Sequence, residues 1–163
     1  MSILRLLLLI ILLGTTSCEN IEYPQSEYVG EWQSWPIDTD WVMGEQVLFF
    51  INDFRSEQGL LPLKADKSLI TALSASHSNY MISQNEISHE GFNDRAKILK
   101  QNGAITVGEN VAAGYDDPFI LVNAWSNSPP HRETMEGNYT HAGLGIRKDV
   151  LGRYYYTLIL VKK

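Results

Sequence analysis

Cysteine is almost absent: the 163 residues include one, Cys18. No internal disulfide can brace the fold, and a zinc site built from several thiolates is excluded. Long apolar runs are missing too. The longest is the eight residues from Leu6 to Leu13, well short of the ~20 a membrane-spanning helix requires. Positive charge is scarce and uneven, with 13 Lys and Arg against 19 Asp and Glu, and none at all between Arg5 and Arg55. A net charge of −6 lacks the basic footprint of a nucleic-acid-binding protein, so no nucleic acid is expected as partner. Neither His-Glu-x-x-His, which sets two zinc ligands one helical turn apart, nor the Gly-x-Ser-x-Gly nucleophile turn occurs. What remains is 44% hydrophobic with four Trp and eight Tyr, the composition of one globular domain.

The chain opens with Arg5, the apolar run, and then Gly14-Thr15-Thr16-Ser17 before Cys18. That order of charge, apolar residues and small residues predicts a secretory signal over 1–17. Small residues directly before a lone cysteine resemble the lipobox of bacterial lipoproteins, although Thr15 stands where leucine is usual. The resemblance implies acylation of Cys18, attachment to a membrane through it, and a bacterial lipoprotein of the outer membrane, its periplasmic face or the cell surface. Residues 18–40 carry acidic residues, Pro24 and Pro36, and the aromatics Tyr23, Tyr28, Trp32 and Trp35. They read as an acidic, aromatic tether ahead of a domain over 41–163.

Within the domain, Val47, Phe50, Ile51 and Phe54 recur at helical spacing, predicting a helix over 41–58 that ends before Gly59. A second helix starts near Asp66 and turns His77 toward its apolar face, as a hydrogen-bonded core histidine. Asp94 to Asn102 is a short helix, and Asp117-Pro118 opens another that runs to about Asn127. The last two segments, 142–148 and 153–161, are strands. Tyr154, Tyr156, Leu158 and Leu160 alternate with Tyr155, Thr157, Ile159 and Val161, so the final strand is apolar on both faces and needs helices on both sides. Helices first and strands late, with no repeated strand-helix unit, predict an α+β fold: a three-layer α-β-α sandwich with a central antiparallel sheet.

Chemistry-bearing residues gather in four segments: Ser88-His89-Glu90, Gly108-Glu109-Asn110, Trp125 through Arg132, and Tyr139-Thr140-His141. Three readings fit them. Two imidazoles and a carboxylate from these segments, if they meet in space, suit a zinc or other divalent site with an open position. Ser128 and His131, with Glu109 as orienter, suit nucleophilic catalysis, but Pro129 and Pro130 stand against one continuous helix carrying both. The third reading is a network of structural hydrogen bonds in which Glu109 accepts backbone N–H groups. Gly108 is read as a tight turn, Trp125 as core, Arg132 as a structural salt bridge, a partner of Glu109 or a partner of the last carbonyls of a helix, and Arg95, Lys97 and Lys100 as a basic lip.

In their order along the chain these segments resemble the bacterial branch of the CAP superfamily, the SCP domains. The resemblance rests on Ile51 to Arg55 with Gly59 to Leu63, Ser88-His89 followed by Asp94-Arg95, Gly108 to Ala112, Trp125 to Arg132, and Gly143-Leu144-Gly145. It implies an α-β-α sandwich with a cavity holding two histidines and two glutamates. His89, Glu109 and His131 match three of these. The fourth position is Ser128, leaving a triad as catalytic and metal candidates, with Ser88, Asn110, Ser128 and His141 around the cleft. The expected function is a membrane-anchored, extracytoplasmic binding module for a divalent metal, such as zinc, or for an envelope glycan, lipid or peptide. The alternatives are a metal- or histidine-dependent peptidase, and a structural envelope protein with a vestigial cleft.

Overall fold

The structure, a computed structural model, describes residues 37–163; the signal over 1–17, Cys18 and the tether up to residue 36 lie outside the described residues. In chain order the elements are α1 (Trp41–Glu57), β1 (Lys64–Ala65), α2 (Leu69–Gln84), α3 (Phe92–Gln101), β2 (Thr106–Ala113), α4 (Pro118–Ser126), α5 (Pro129–Glu136), β3 (His141–Lys148) and β4 (Tyr154–Lys162). The sheet runs β1-β3-β4-β2. Its three long strands are antiparallel, and the two-residue β1 lies parallel to β3 with Lys64 opposite His141. The sheet is therefore mixed at one margin, because the extended connector 60–65 reaches β3 from the far end of α1.

Both faces of β4 are buried, as its alternation requires. Tyr156, Leu158 and Leu160 meet Met43, Val47 and Ile51 of α1, Leu121, Val122 and Trp125 of α4, and Met135 of α5. Ile159 and Val161 meet Ile70 and Leu73 of α2 and Leu99 of α3 on the other face. The helix starts are chemically explicit. The carboxylate of Asp40 accepts the Met43 N–H at 3.0 Å, and that of Asp117 accepts from Phe119 and Ile120 at 2.8 and 3.0 Å. Asp66 acts from slightly further back than expected, accepting from Ser68 and Ile70 ahead of α2. Arg55, buried on α1, directs its guanidinium at carbonyls: Leu61 at 3.0 Å, Met135 at 2.6 Å and Gly137 at 2.9 Å. It thus ties the connector and the end of α5 to the first helix.

The closest packing lies between α2 and β3. A Cβ on Gly145 would overlap the backbone of Ser74 and Ala75, and one on Gly143 would overlap Ile70 and Thr71. The space a side chain would fill is occupied by the helix itself, and serines complete the join. Ser74 Oγ donates to the Gly143 carbonyl at 3.1 Å and Ser78 Oγ to the Gly145 carbonyl at 2.8 Å. His77, one helical turn along, is 1% exposed. Its Nε2–H donates to the Ser88 carbonyl at 2.7 Å, the core role expected of it.

Two local expectations are corrected. Gly108 makes no turn: it lies inside β2 opposite Leu160, and the missing side chain makes room for the Tyr139 ring, which a Cβ there would strike. The two prolines after Ser128 do not block a helix; they open α5 as its first two residues, with Ser128 as N-cap. There the missing N–H groups of proline cost nothing, since first-turn donors have no partner within the helix.

Gly145→Ala should destabilise the domain by about 3 kcal/mol in urea unfolding, because the added methyl meets backbone and no flexible side chain can yield. A second outcome concerns pH. Burial, with help from the Arg95 charge, holds His77 below the ordinary histidine value. The unfolded chain therefore takes up a proton near pH 6.5 that the folded one refuses, and stability falls as pH drops below that point. Between pH 7.5 and 5.5 the native chain should lose about 1 kcal/mol more than His77→Gln; equal losses would show that His77 is not responsible.

Candidate functional site

β2, the 85–91 loop and the α4–α5 corner enclose a cleft of about 470 Å³ lined by Ile87, Ser88, His89, Val111, Ala113, Tyr115, Ala124, Trp125, Ser128 and His131 among others. Each wall has a fixed support. The 85–91 loop leaves α2 through Asn85, which adopts the left-handed backbone conformation, and is held by the bond from His77 to Ser88. The α4–α5 corner is held by Asn110, 1% exposed on β2, whose Nδ2 donates to the His131 carbonyl at 3.0 Å. Trp125 is both core and wall: it is 2% exposed, and its indole N–H donates to the Val111 carbonyl at 3.3 Å.

Behind the cleft lies a buried ion pair. Arg95 Nε donates to Glu109 Oε2 and Arg95 Nη2 to Glu109 Oε1, each at 2.8 Å, and Nη1 reaches the Glu90 carbonyl at 2.8 Å. Both side chains are almost fully buried, at 2% and 1% exposure. A planar guanidinium meeting a carboxylate in this fork fixes both groups. Glu109 therefore accepts from side chains, and not from backbone N–H groups as the structural reading expects. Arg95 belongs to this pair and not to a basic lip, while Arg132 bonds Glu136 at 2.7 Å on the surface. Asp94-Arg95 is part of the family-like pattern, yet nothing in the spacing ties Arg95 to Glu109, because they come from α3 and β2.

Glu109 has one further partner, His89, whose Nδ1 stands 3.0 Å from Oε1. A carboxylate only accepts, so Nδ1 carries the proton and Nε2 of the neutral ring keeps its lone pair. Across the cleft, His131 Nδ1 lies 2.8 Å from Ser128 Oγ, leaving its own Nε2 without a partner among the described residues. Burial and the nearby His89 hold His131 below the ordinary histidine value, favouring the neutral ring. The structure thus brings His89, His131, Ser88 and Ser128 to one cleft, with Glu109 and Asn110 immediately behind. His141 does not join them. It starts β3, with β4 between it and β2, and its Nδ1 pairs with Thr140 Oγ1 at 2.8 Å. A Ser128–His131–Glu109 relay is not formed either, because Glu109 serves His89.

The fold agrees with known proteins. A family model for the cysteine-rich secretory protein family (CAP) matches residues 48–160. The chain belongs to that family. YkwD of Bacillus subtilis (strain 168), itself uncharacterized, is 34% identical over 106 residues, which make up 62% of this chain and 41% of YkwD. An extracellular SCP-domain protein of Bacillus anthracis superposes with a TM-score of 0.63 at 27% identity, covering 73% of this chain and 40% of its own. An outer surface protein of Borrelia burgdorferi shares the fold, with a TM-score of 0.66 at 20% identity over 75% of this chain and 93% of its own. The chain thus spans about two fifths of the two Bacillus relatives and nearly all of the Borrelia protein. A CAP domain named for its cysteines here holds together without one among the described residues.

The donor set can be weighed against the metal that the family implies. Among the described residues no three His, Cys, Asp or Glu side chains are gathered as a metal-ligand group, and both Glu109 oxygens are engaged by Arg95. The carboxylate stands where a supporting partner of a ligating histidine would stand, fixing its tautomer. Two imidazole Nε2 atoms are the protein donors that remain.

Removing one side of the ion pair strands a buried charge. Arg95→Met or Glu109→Leu alone should cost about 3–5 kcal/mol in urea unfolding, and the double variant should recover most of that loss. Non-recovery would show that the pair contributes through its hydrogen bonds to Glu90 and His89.

Proposed function

We propose that this CAP domain is an extracytoplasmic, lipid-anchored binding module whose cleft takes a ligand of the cell envelope, with His89 and His131 as its polar contacts. The observation that carries the reading is the pair of imidazoles lining one open, otherwise largely apolar cleft, His89 held at Nδ1 by Glu109 and His131 at Nδ1 by Ser128, with neither Nε2 hydrogen-bonded among the described residues. A few convergent polar groups in an apolar concavity are what small-ligand sites consist of. The extracellular Bacillus anthracis protein and the outer surface protein of Borrelia burgdorferi support the location. Anchoring rests on the signal and Cys18.

A divalent ion such as zinc would be held by the two Nε2 atoms, with Glu109 orienting His89. Two protein donors are one fewer than the three typical of open zinc sites, so water or a donor from the ligand has to complete the shell. The Ser128–His131 contact favours a second reading, a hydrolase with Ser128 as nucleophile. It lacks a carboxylate behind His131, and the binding reading therefore takes precedence.

Calorimetric titration of zinc into the protein should give a Kd weaker than ~10 μM, abolished by His89→Ala and by His131→Ala alike. Binding indifferent to both histidines would remove the metal from the cleft. Cys18→Ser should move the protein from the membrane pellet to the supernatant after a carbonate wash; retention in the pellet would overturn the anchor.

A further inference from the structure

β2 is a margin of the sheet and pairs with β4 on one side only. Parity along the ladder fixes which of its main-chain groups face outward. The Gly114 N–H donates to the Tyr154 carbonyl at 2.8 Å, so even-numbered residues here bond toward β4. The Val111 carbonyl instead accepts from the Trp125 indole on the opposite side. In an antiparallel ladder the N–H and C=O of one residue point the same way. The Val111 N–H and both groups of Ala113 are therefore directed away from β4, and both residues line the cleft. One wall of the cleft is an open strand edge, offering a donor and then a donor and acceptor two residues on, about 6.8 Å apart.

We propose that the ligand class of the cleft is an extended peptide, which adds to Val111–Ala113 as a short extra strand and sets a backbone N–H against the Nε2 acceptor of His89 and a backbone N–H or carbonyl against His131. This rests on the binding reading of the cleft and specifies its ligand. A peptide repeats its donors and acceptors at the spacing of the edge, which a sugar chain does not. Side chains on alternate positions meet the apolar wall of Tyr115, Ala124 and Trp125, while Ile87, 44% exposed, stands at the mouth. Pairing is confined to a few residues: Val111 is itself only 6% exposed, so the accessible edge centres on Ala113, and Glu109, the next residue along β2 with outward main-chain groups, is held in the fork with Arg95. That restriction also leaves little open edge for two copies of the chain to join.

The test titrates the full chain, in detergent, with a panel of end-capped hexapeptides and, separately, with peptide-free glycan strands of the cell wall, following backbone amides by NMR. Ala113→Pro deletes an outward donor without touching the ladder to β4, a position where an edge strand tolerates proline. The expected result is saturable peptide binding that shifts the Val111 and Ala113 amides. Ala113→Pro should weaken it at least tenfold, and so should N-methylation of alternate amides in the peptide. The methylated peptides decide the matter if Ala113→Pro does not fold. Peptides that bind with those amides unmoved, or that tolerate N-methylation in every register, overturn the proposal. Glycan binding lost in His131→Ala, with no peptide binding, overturns the peptide and keeps the binding reading; binding of neither overturns both.

Discussion

The buried fork between Arg95 and Glu109 is the interaction on which the cleft depends. Taking two charges out of water is costly, and the cost is met only when geometry and remaining hydrogen bonds are satisfied. Here they are. Two parallel bonds join the side chains, the third guanidinium nitrogen reaches the Glu90 carbonyl, and Glu109 keeps one lone pair for His89. One ion pair thereby connects β2, α3 and the loop between α2 and α3. The loop needs such a support, since it has no strand or helix of its own between Asn85 and Gly91.

A second constraint holds the other side of that loop. Gly143 and Gly145 let α2 lie directly on β3, and Ser74 and Ser78 convert the close approach into hydrogen bonds to the strand. Because the join is backbone to backbone, α2 has little freedom to slide or roll. His77 then passes this rigidity on, since its ring reaches the Ser88 carbonyl next to His89. The position of His89 is thus set from both directions, by Glu109 at its ring and by α2 at its backbone. Dense packing here takes the place that a disulfide holds in small secreted domains.

Much of this is legible in the sequence because it depends on local pattern. The spacing of Val47 and Ile51, the Asp117-Pro118 start and the two-faced apolar alternation of β4 predict elements close to those observed. The segments that mislead lie where tertiary contacts override local chemistry. Gly108 has the look of a turn residue, and only the Tyr139 ring explains a glycine inside β2. Pro129-Pro130 signals a break when read from Ser128 onward, and a helix start when Ser128 is recognised as its cap. In the site, His89 and His131 stand out through the family pattern and do face one cleft. Arg95 cannot be connected to Glu109 from the sequence, because a contact between α3 and β2 leaves no periodic trace. His141 looks like another candidate only because it is a histidine near the others in chain order.

Ser128 makes the two histidines unequal. The family pattern implies a glutamate at this position, and a carboxylate beside His131 Nδ1 would hold a proton there as Glu109 does for His89. A hydroxyl both donates and accepts. At 2.8 Å from Nδ1, Ser128 can therefore support either neutral tautomer of His131 by rotating its O–H. His89 presents a fixed acceptor at Nε2, whereas His131 presents an acceptor or a donor as its ligand demands. Losing a carboxylate also removes a negative charge from a cleft whose other acid is already neutralised by Arg95. A lower negative charge would weaken capture of a cation, which is consistent with the proposed recognition of a ligand by directed hydrogen bonds.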